Sequence, residues 1–265
     1  MNIKIKTKNE IKIIKKVGKI SAKVLEKVEK YVKPGISTGE INEICHKYIT
    51  KKKKARSASL GYKGFPKSIC TSINNVVCHG IPKKNEIIKN GDIINIDIAV
   101  EKYGFYSDTS KMFIIGEDSN NIRKKLCRIA QESLYLAIYS IKPGLRLKNI
   151  GKIIQKFVEK NNFSVVKEYC GHGIGKKLHE DPLVFHYETY DNGIVLKPGM
   201  VFTIEPMINE GKCNVYLDKD NWTVKTVDKS LSAQYEHTVL VTKYGCEVIT
   251  IRKEETIPSK IYHKI

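Results

Sequence analysis

Four carboxylates stand in or beside apolar, β-branched stretches of the kind that form buried strands. Asp97 lies within IINIDIAV and Glu205 within VFTIEPMI, Glu236 precedes the apolar run HTVLV, and Asp108 opens the triplet DTS. One such acid is usually an exposed residue on the solvent face of a sheet. Four of them, with no Lys or Arg beside them in sequence, would repel one another and titrate high, so we expect positive charge between them. Two divalent cations would cancel their formal charge of −4.

Three histidines are candidates for a nitrogen ligand or for contacts with a substrate. His172 lies in CGHGIG, where the flanking glycines allow backbone and ligand to approach closely. His179 follows seven residues later, and His79 stands in a similar Cys-His-Gly sequence. A histidine met alone is more often structural or simply solvated. The glycine context and its repetition around His79 favour a functional site here.

A predicted hairpin carries two of the carboxylates. Ile93 to Val100 and Phe105 to Ile115 have the β-branched content of strands, with residues 101–104 as the turn between them. With the turn centred between residues 102 and 103, Asp97 lies directly opposite Asp108. Facing Cβ atoms on paired strands are about 4.5–5.5 Å apart, and like charges there are destabilising. The hairpin therefore also indicates a cation between the two aspartates.

Hydrophobic periodicity predicts the elements that must position these side chains. Four stretches have the spacing of amphipathic helices, which are Glu10 to Val32, Thr38 to Lys53, Ile122 to Ile141 and Leu147 to Asn161. Further strands are expected within the loop-rich stretch 57–81 and at Ser164 to Glu168, Met200 to Met207, Val224 to Thr226 and His237 to Thr242. The order of a helix pair followed by strands thus occurs twice.

Two short sequence matches indicate a repeat. VKPGI at 32–36 matches IKPGL at 141–145 with an offset of 109, and KNGDIINID at 89–97 matches KPGMVFTIE at 197–205 with an offset of 108. We therefore expect one α+β domain over residues 1–265, with two halves of similar plan at roughly 10–115 and 122–250 that share a cleft. Chance matching in a chain rich in Lys and Ile is the alternative.

The chain is strongly basic, since 47 Lys and Arg stand against 28 Asp and Glu, a formal net charge of +19. Clustered positive charges favour binding to nucleic acid. However, 42 of these residues are Lys and only 5 are Arg, whereas proteins that recognise phosphates and bases prefer Arg. We interpret most of the excess as compositional drift and expect no specific nucleic-acid partner. With 41% hydrophobic residues the chain can bury a core, which argues against disorder.

Cysteine usage and hydropathy indicate a cytoplasmic protein. The seven cysteines form an odd set without a C-x-x-C pair, so neither a disulfide framework nor a zinc ribbon is expected. The first ten residues, MNIKIKTKNE, lack the apolar segment of a signal peptide. No stretch approaches the roughly 20 apolar residues of a membrane span, so we expect no membrane association.

Six motifs, taken together, resemble those of type I methionine aminopeptidases. They are CHGIP at 78–82, DTS at 108–110, CGHGIG at 170–175, HEDP at 179–182, TIEPM at 203–207 and YEHT at 235–238. The resemblance runs from the first helix to about Ile251 and implies the pita-bread fold, an α+β architecture of two pseudo-symmetric halves with a central antiparallel sheet flanked by helices. It also implies removal of the N-terminal methionine from nascent proteins and peptides whose second residue is small and uncharged.

The resemblance implies a metal site with five ligands, which are Asp97, Asp108, His172, Glu205 and Glu236. Asp108 and Glu236 would bridge two divalent cations. Asp97 would serve one ion, whereas His172 and Glu205 would serve the other. Carboxylate and imidazole ligands of this kind accept Co²⁺, Mn²⁺, Fe²⁺ or Zn²⁺. The ions would activate a bridging water or hydroxide as the nucleophile.

The remaining functional residues follow from the same resemblance. Glu205 would carry a proton toward the leaving amine, His179 would stabilise the tetrahedral oxyanion, and His79 would hold the peptide or help protonate the leaving nitrogen. Both histidines would therefore contact substrate. The methionine side chain would occupy a soft pocket of Tyr62, Phe65, Cys70, Leu178 and Trp222. Phe65, Leu178 and Ser59 replace the family's usual tyrosine, phenylalanine and cysteine, which bears on pocket affinity more than on the reaction.

Two alternative functions are open on the sequence alone. Aminopeptidase P and prolidase share the fold and metal site, but they usually carry an additional N-terminal domain for which this sequence offers no counterpart. Pita-bread domains that have lost their metals bind protein partners, yet such a domain would have no chemical reason to keep four clustered acids.

The 26 positions from His179 to Glu205 leave no room for the helical insertion of type II enzymes. We also expect a monomer, whose positive charge could bring transient association with ribosomes.

Overall fold

The computed structural model describes residues 3–116, 121–190 and 193–263. Within these ranges lie four α-helices, which are α1 (Lys8–Val28), α2 (Thr38–Lys47), α3 (Asn121–Ser140) and α4 (Lys148–Lys160). A 3₁₀ turn (Glu29–Tyr31) follows α1, and a π-helical turn (Tyr48–Lys52) follows α2. The four predicted helices are confirmed, although the first two end earlier as regular α-helices. None of the described helices is long and apolar enough to cross a lipid bilayer.

The β structure of the described residues consists of sixteen strands. In the first half of the chain they are β1 (Arg56–Ser57), β2 (Cys70–Ile73), β3 (Val76–Cys78), β4 (Ile93–Lys102) and β5 (Phe105–Ile114). In the second half they are β6 (Ser164–Val165), β7 (Gly171–Gly173), β8 (Glu180–Val184), β9 (Val201–Ile204), β10 (Met207–Asn209), β11 (Val215–Leu217), β12 (Val224–Thr226), β13 (Ser232–Gln234), β14 (Glu236–Val241), β15 (Gly245–Val248) and β16 (Lys260–Tyr262).

The largest sheet has ten antiparallel strands. Its main path is β1-β4-β5-β14-β9-β7-β8, so strands from the two halves of the chain meet at the β5–β14 pair. β2 adds to β4, while β15 pairs with β14 and β16 with β15. Two smaller sheets have the orders β13-β10-β6 and β11-β12-β3. The predicted fold class, with helices and an antiparallel sheet, is therefore confirmed.

Two apolar cores hold the helices against the large sheet and the β13-β10-β6 sheet. α1 packs on β4 and β5, and α2 joins the same core, which includes Ile14, Ile41 and Ile96. α3 packs on β9, β10 and β13, and α4 contacts α3, β6 and β8, in a second core that includes Leu134 and Phe202. Each helix pair therefore packs mainly on strands of its own half of the chain, although α3 also contacts β5.

The β4–β5 hairpin differs in register from the predicted one by two residues. Tyr103 and Gly104 form a two-residue turn, with φ of 58° and 73°. Asp97 therefore lies opposite Ser110 and not opposite Asp108, so the predicted direct opposition was wrong. The expected turn was centred one residue too early. Because side chains alternate with a period of two, this shift leaves both aspartates on the same face as diagonal neighbours.

Pro206 divides a stretch that the sequence suggested to be one strand, Met200 to Met207. β9 ends at Ile204, and β10 begins at Met207 in a different sheet. Proline has no N–H to donate and so cannot continue the ladder of a central strand. Glu205 therefore lies where the chain leaves the large sheet for a smaller one.

Candidate metal centre and substrate cavity

The five predicted metal ligands line one cavity of about 200 Å³. The ligand atoms of Asp108, His172 and Glu236 lie within 4.8 Å of one another, and all three residues are buried. Asp97 and Glu205 line the same cavity. The fold thus brings the five side chains together, while their role as ligands stays a prediction.

Each of these side chains lies in or directly after a different strand, and the five strands are neighbours in the large sheet. Along the path β4-β5-β14-β9-β7, the residues are Asp97, Asp108, Glu236, Glu205 and His172. Glu205 directly follows the last residue of β9, whereas the other four lie within their strands. A cluster built this way requires every one of these strand pairings, so it exists only in the folded chain.

Backbone and hydroxyl groups orient His172 and Glu205. Nδ1 of His172 lies 3.0 Å from the carbonyl oxygen of Gly173, which places the proton on Nδ1. Nε2 then carries the lone pair that a cation needs, and it lies 3.7 Å from Oε1 of Glu205. The Thr203 hydroxyl donates to that oxygen at 2.7 Å and accepts the backbone N–H of His172 at 3.0 Å. Gln234 Nε2 donates to Oε2 of Glu205 at 3.3 Å.

Burial and mutual repulsion make this cluster unfavourable without a cation. Burial and the neighbouring acids hold the pKa of Asp97 and of Glu236 well above the usual range. Burial and the charge of Asp108 raise the pKa of Glu205 to about 8. Burial raises the pKa of Asp108 as well, against the opposing effect of His172. A dication among the acids would reverse these shifts.

Two buried oxygens of the cluster lack a hydrogen-bond donor. Within the described part of the chain, no group donates to Oδ1 of Asp97 or to Oδ1 of Asp108. Buried polar atoms are nearly always satisfied, so these oxygens indicate a partner outside the polypeptide, such as a cation. Carboxylate oxygens and an imidazole nitrogen are accepted ligands of Mn²⁺, Fe²⁺, Co²⁺ and Zn²⁺. The residues present therefore fit a divalent metal centre.

His79 and His179 line the same cavity. The ring of His179 lies 4.1 Å from that of His172 and stacks on Tyr62 at 5.1 Å, measured between centroids. His79 has a left-handed backbone with φ of 55°, and its ring meets Trp222 edge to face at 6.3 Å. Burial and the nearby His172 lower the pKa of His79 to about 4. The surrounding protein and nearby positive groups also lower the pKa of His179, although this residue is partly exposed. Both imidazoles are therefore neutral near pH 7, each with one donor and one acceptor.

The predicted methionine pocket belongs to the same cavity. All five of its residues line the cavity together with Ser59, and they are Tyr62, Phe65, Cys70, Leu178 and Trp222. The rings of Phe65 and Trp222 meet edge to face at 5.1 Å between centroids. Burial holds the pKa of the Cys70 thiol well above its usual range, so this residue is a neutral, polarisable part of the wall. The cavity thus combines a soft aromatic wall with a cluster of acids.

Sequence reasoning missed several residues that shape the site. Lys63 also lines the cavity, and Thr203 and Gln234 hold the carboxylate of Glu205. The backbone N–H of Glu205 donates to Nε2 of His186 at 3.1 Å. Thr203 and Gln234 lie in or beside the TIEPM and YEHT motifs, which was a usable signal. His186 has no glycine or acid beside it in the sequence, so nothing distinguished it.

The chain is similar over most of its length to known metallopeptidases. Residues 12–243 match the model of metallopeptidase family M24. The methionine aminopeptidase of Buchnera aphidicola subsp. Acyrthosiphon pisum is 60% identical over 261 residues, which cover 98% of each chain. The crystal structure of methionine aminopeptidase from Rickettsia prowazekii matches with a TM-score of 0.91 and 47% identity, covering 94% of this chain and 100% of that one. The chain belongs to metallopeptidase family M24.

The M24 fold also occurs in prolidases, but the match to them is partial. The prolidase from Pyrococcus horikoshii has a TM-score of 0.73 and 26% identity, and the match covers 96% of this chain but 65% of the prolidase. The Buchnera and Rickettsia matches, in contrast, span nearly all of both chains, and both are to methionine aminopeptidases. The family resemblance, the pita-bread fold and the assignment as an enzyme are therefore confirmed.

A second cavity, of about 630 Å³, adjoins the first one in this M24 chain. The two cavities share four lining residues, which are His79, His172, His179 and Glu205. Tyr169 and Met207 line only the larger cavity. A ligand held among the acids can therefore extend past the histidines into the larger space, as a peptide would.

Proposed function

We propose that this protein is a methionine aminopeptidase that removes the N-terminal methionine from peptides and nascent proteins whose second residue is small and uncharged. The observation that carries the proposal is a single cavity in which a soft aromatic wall meets five potential metal ligands and two neutral imidazoles. A thioether suits the wall, and metal-assisted peptide hydrolysis suits the ligands. The names of full-length relatives agree with this activity.

We assign the metal centre to the five clustered side chains. Asp108 and Glu236 would bridge two divalent cations, Asp97 would complete the site of one, and His172 and Glu205 would complete that of the other. The unsatisfied oxygens of Asp97 and Asp108 support this assignment. When bound, two such ions lower the pKa of a water molecule and polarise the scissile carbonyl. Co²⁺, Mn²⁺, Fe²⁺ or Zn²⁺ would each suit these ligands.

Three side chains would handle protons and charge during hydrolysis. Glu205, held by Thr203 and Gln234, would accept a proton from the attacking water and pass it toward the leaving amine. His179 would donate a hydrogen bond to the developing oxyanion. His79 would hold the peptide or protonate the leaving nitrogen. Because both imidazoles are neutral near pH 7, each can donate one hydrogen bond and accept another.

The walls of the two cavities would set the specificity. The methionine side chain would lie against Phe65, Cys70 and Trp222, where sulfur–aromatic contacts add to apolar burial. The second residue would pass into the larger cavity, where Tyr169 and Met207 would limit its size. The free α-amine would lie among the carboxylates and cations. This placement would confine cleavage to the first peptide bond.

We further propose that the enzyme is monomeric and cytoplasmic and meets nascent chains at the ribosome. With a net charge of +19, the protein would be attracted to ribosomal RNA by long-range electrostatic forces, which salt screens. Co-sedimentation with ribosomes should therefore decrease as the salt concentration rises. Co-sedimentation that is insensitive to salt, or absent at low salt, would contradict this part of the proposal. Neither a specific nucleic-acid sequence nor a membrane is proposed as a partner.

A peptide assay tests the proposed activity. Metal-free protein is reloaded separately with Mn²⁺, Co²⁺, Fe²⁺ or Zn²⁺ and offered peptides that begin Met-Gly, Met-Ala and Met-Lys. We expect methionine to be released from the first two with at least one metal, much more slowly from the third, and not at all after chelation. A peptide with proline in second position, preceded by a residue other than Met, controls for prolidase-like activity. No turnover by fully metallated protein would refute the proposal.

A further inference from the structure

The short segment before α1 forms a buried ion pair with the beginning of β8. The ammonium group of Lys6 bonds a carboxylate oxygen of Glu180, and the two side chains are 5% and 8% exposed. Ion pairs on the surface contribute little, whereas a buried pair is sensitive to the loss of either partner. The pair joins two segments that are 174 residues apart in the sequence.

Backbone contacts of Lys6 and Thr7 hold this segment in place. Its backbone N–H donates to the carbonyl oxygen of Gly199 at 2.9 Å. The next residue, Thr7, caps α1, because its hydroxyl accepts the N–H of Glu10 at 3.3 Å and the Glu10 carboxylate accepts the N–H of Thr7 at 2.9 Å. Such a reciprocal cap fixes the direction in which the chain enters the helix. The backbone of Lys6 therefore has a defined position, from which its side chain reaches Glu180.

The other partner organises the loop of residues 174–179, which connects β7 to β8. Glu180 is the first residue of β8, and its Oε1 accepts the backbone N–H of Lys177 at 3.0 Å. Gly175 lies directly against the ion pair, since a Cβ at this position would come within 2.5 Å of Lys6 Nζ and 3.0 Å of Glu180 Oε1. A side chain at Gly175, the last glycine of the GHGIG motif, would therefore have to displace the ion pair.

This loop places two residues, Leu178 and His179, in the cavity of about 200 Å³ that the predicted metal ligands line. Leu178 is buried, and the His179 ring contacts those of Tyr62 and His172. Groups that bind a reacting substrate must be held within fractions of an ångström, and small displacements reduce rates strongly. The loop's position is therefore a property that the enzyme must fix.

We propose that Lys6 is a positioning residue that, through Glu180, sets where the loop presents Leu178 and His179 to the substrate. The inference rests on the proposed function, from which the roles of the two loop residues are taken. It assigns a role in turnover to a side chain that lies outside the metal centre and the methionine pocket.

Lys6→Met tests the proposal, because the substitution keeps most of the side-chain length and removes the charge. We expect kcat/KM for a Met-Ala peptide to fall at least tenfold, while the number of bound Mn²⁺ ions stays the same. Lys15→Met is the matched control. Lys15 also pairs with a glutamate, Glu247 at 2.6 Å, but that residue lies on β15, which pairs with β14 and β16. Its kcat/KM should stay within twofold of the wild-type value.

A double-mutant cycle separates positioning from a general loss of stability. In a His179→Ala background, Lys6→Met should reduce kcat/KM by less than a further threefold, because the main group that it positions is gone. Equal fold-losses in both backgrounds would overturn the proposal. A Lys6→Met variant as active as Lys15→Met would overturn it too.

Two further variants keep the test decisive if Lys6→Met does not fold. The double variant Lys6→Met/Glu180→Gln leaves no charge buried alone, so it should fold and still show the loss in kcat/KM. Gly175→Ala keeps both charges but places a methyl group against Lys6 Nζ, and it should show a similar loss. Full activity in either folded variant would overturn the positioning role.

Failure of the proposed function has a different signature. Wild-type enzyme without aminopeptidase activity, or a fully active His179→Ala variant, would refute the functional assignment and with it the role of the loop. Wild-type activity that depends on His179 but not on Lys6 would refute the positioning role alone.

Discussion

The five clustered residues are buried beside one another, and this burial determines their protonation. Asp97, Asp108, Glu205 and Glu236 all have a raised pKa, because burial disfavours their charged forms. A cation that binds among them must therefore compete with protons. His172, already protonated on Nδ1 through its contact with Gly173, can offer Nε2 without losing a proton.

We predict that the affinity of the metal-free protein for Mn²⁺ rises between about pH 6 and pH 8. The carboxylates hold protons below their raised pKa values, that of Glu205 being about 8, so fewer protons compete as the pH increases. Calorimetric titrations in buffers of different ionisation enthalpy measure the affinity and the protons released. A pH-independent affinity without proton release would contradict the raised pKa values.

Substitutions at Asp97 and His79 should separate metal binding from turnover. Asp97→Ala removes a proposed ligand, so we expect metal content and activity to fall together. His79→Asn suits the left-handed backbone at φ of 55° and should keep the metals, while kcat falls about tenfold or more. Metal analysis of the purified variants beside peptide assays checks both. Unchanged metal stoichiometry in Asp97→Ala would refute its role as a ligand.

Residues with a chemical anomaly could be predicted from the sequence, whereas ordinary ones could not. Acids without counter-charges in β-branched strands, and histidines among glycines, are conspicuous in any chain. Thr203, Gln234 and His186 resemble many other strand and loop residues, and their contacts with Glu205 arise only where several segments meet. The groups that orient a site are therefore harder to predict than the site itself.

At the level of elements, the turn of the β4–β5 hairpin decides which residues oppose each other. Tyr103 and Gly104 both have positive φ, as in the two-residue turns that match the twist of paired strands. The sequence located this turn to within one residue, yet one residue changes every pair across the hairpin. Strand alternation was the more robust prediction, because a two-residue shift in register preserves the face on which Asp97 and Asp108 lie.

Gly104→Ala should destabilise the protein by about 1 kcal/mol and leave its activity unchanged. The left-handed conformation, with φ of 73°, strains any residue that has a Cβ, even though the space around this position is open among the described atoms. Tyr103→Asn is the matched control and should be neutral or stabilising, since Asn favours this turn position. Urea unfolding measures both variants. Wild-type stability in Gly104→Ala would contradict the turn geometry.

At the level of the whole molecule, a buried polar network joins the C-terminal segment to β5 and β14. Arg252 and Glu255 pair at 2.7 Å, with both side chains 1% exposed. Glu255 also lies 2.8 Å from Nε2 of His237, and Arg252 donates to the hydroxyl of Thr109 at 2.9 Å. His237 and Thr109 each directly follow a proposed bridging ligand in the sequence. The network therefore supports the strands from the side opposite the metal centre.

Arg252→Met should lower the free energy of unfolding by about 3 kcal/mol or more at pH 7, because Glu255 would stay buried without its counter-charge. Although burial opposes it, His237 and Arg252 lower the pKa of Glu255 from 4.5 to about 2. The stabilisation is therefore present above about pH 4.5 and lost as the pH falls toward 2. The difference between wild type and variant should shrink over that range.

Arg128→Met is the control for this prediction. Arg128 pairs with Glu132 at 3.0 Å on the exposed face of α3, so its removal should change the stability by about 0.5 kcal/mol or less. Urea unfolding at several pH values compares the two variants. Equal effects of Arg252→Met and Arg128→Met at pH 7 would contradict the importance of the buried network.

The architecture of the whole chain was predictable to the level of helices flanking an antiparallel sheet. Hydrophobic periodicity located the four helices, because the apolar residues on the buried face of an amphipathic helix recur with the helical period over many residues. The division of the strands among three sheets was not predictable, since partners such as β5 and β14 are far apart in the sequence. The internal repeat and the single domain remain predictions.

The central claim is that five side chains on adjacent strands hold two divalent cations beside a pocket for methionine. Crystals grown with Mn²⁺ and free methionine, measured for anomalous scattering from manganese, test this claim most directly. We predict two manganese ions about 3.5–4 Å apart, both bound by Asp108 and Glu236, with the methionine thioether against Phe65 and Trp222. Manganese outside the cluster of five residues, or methionine bound away from this pocket, would contradict the claim.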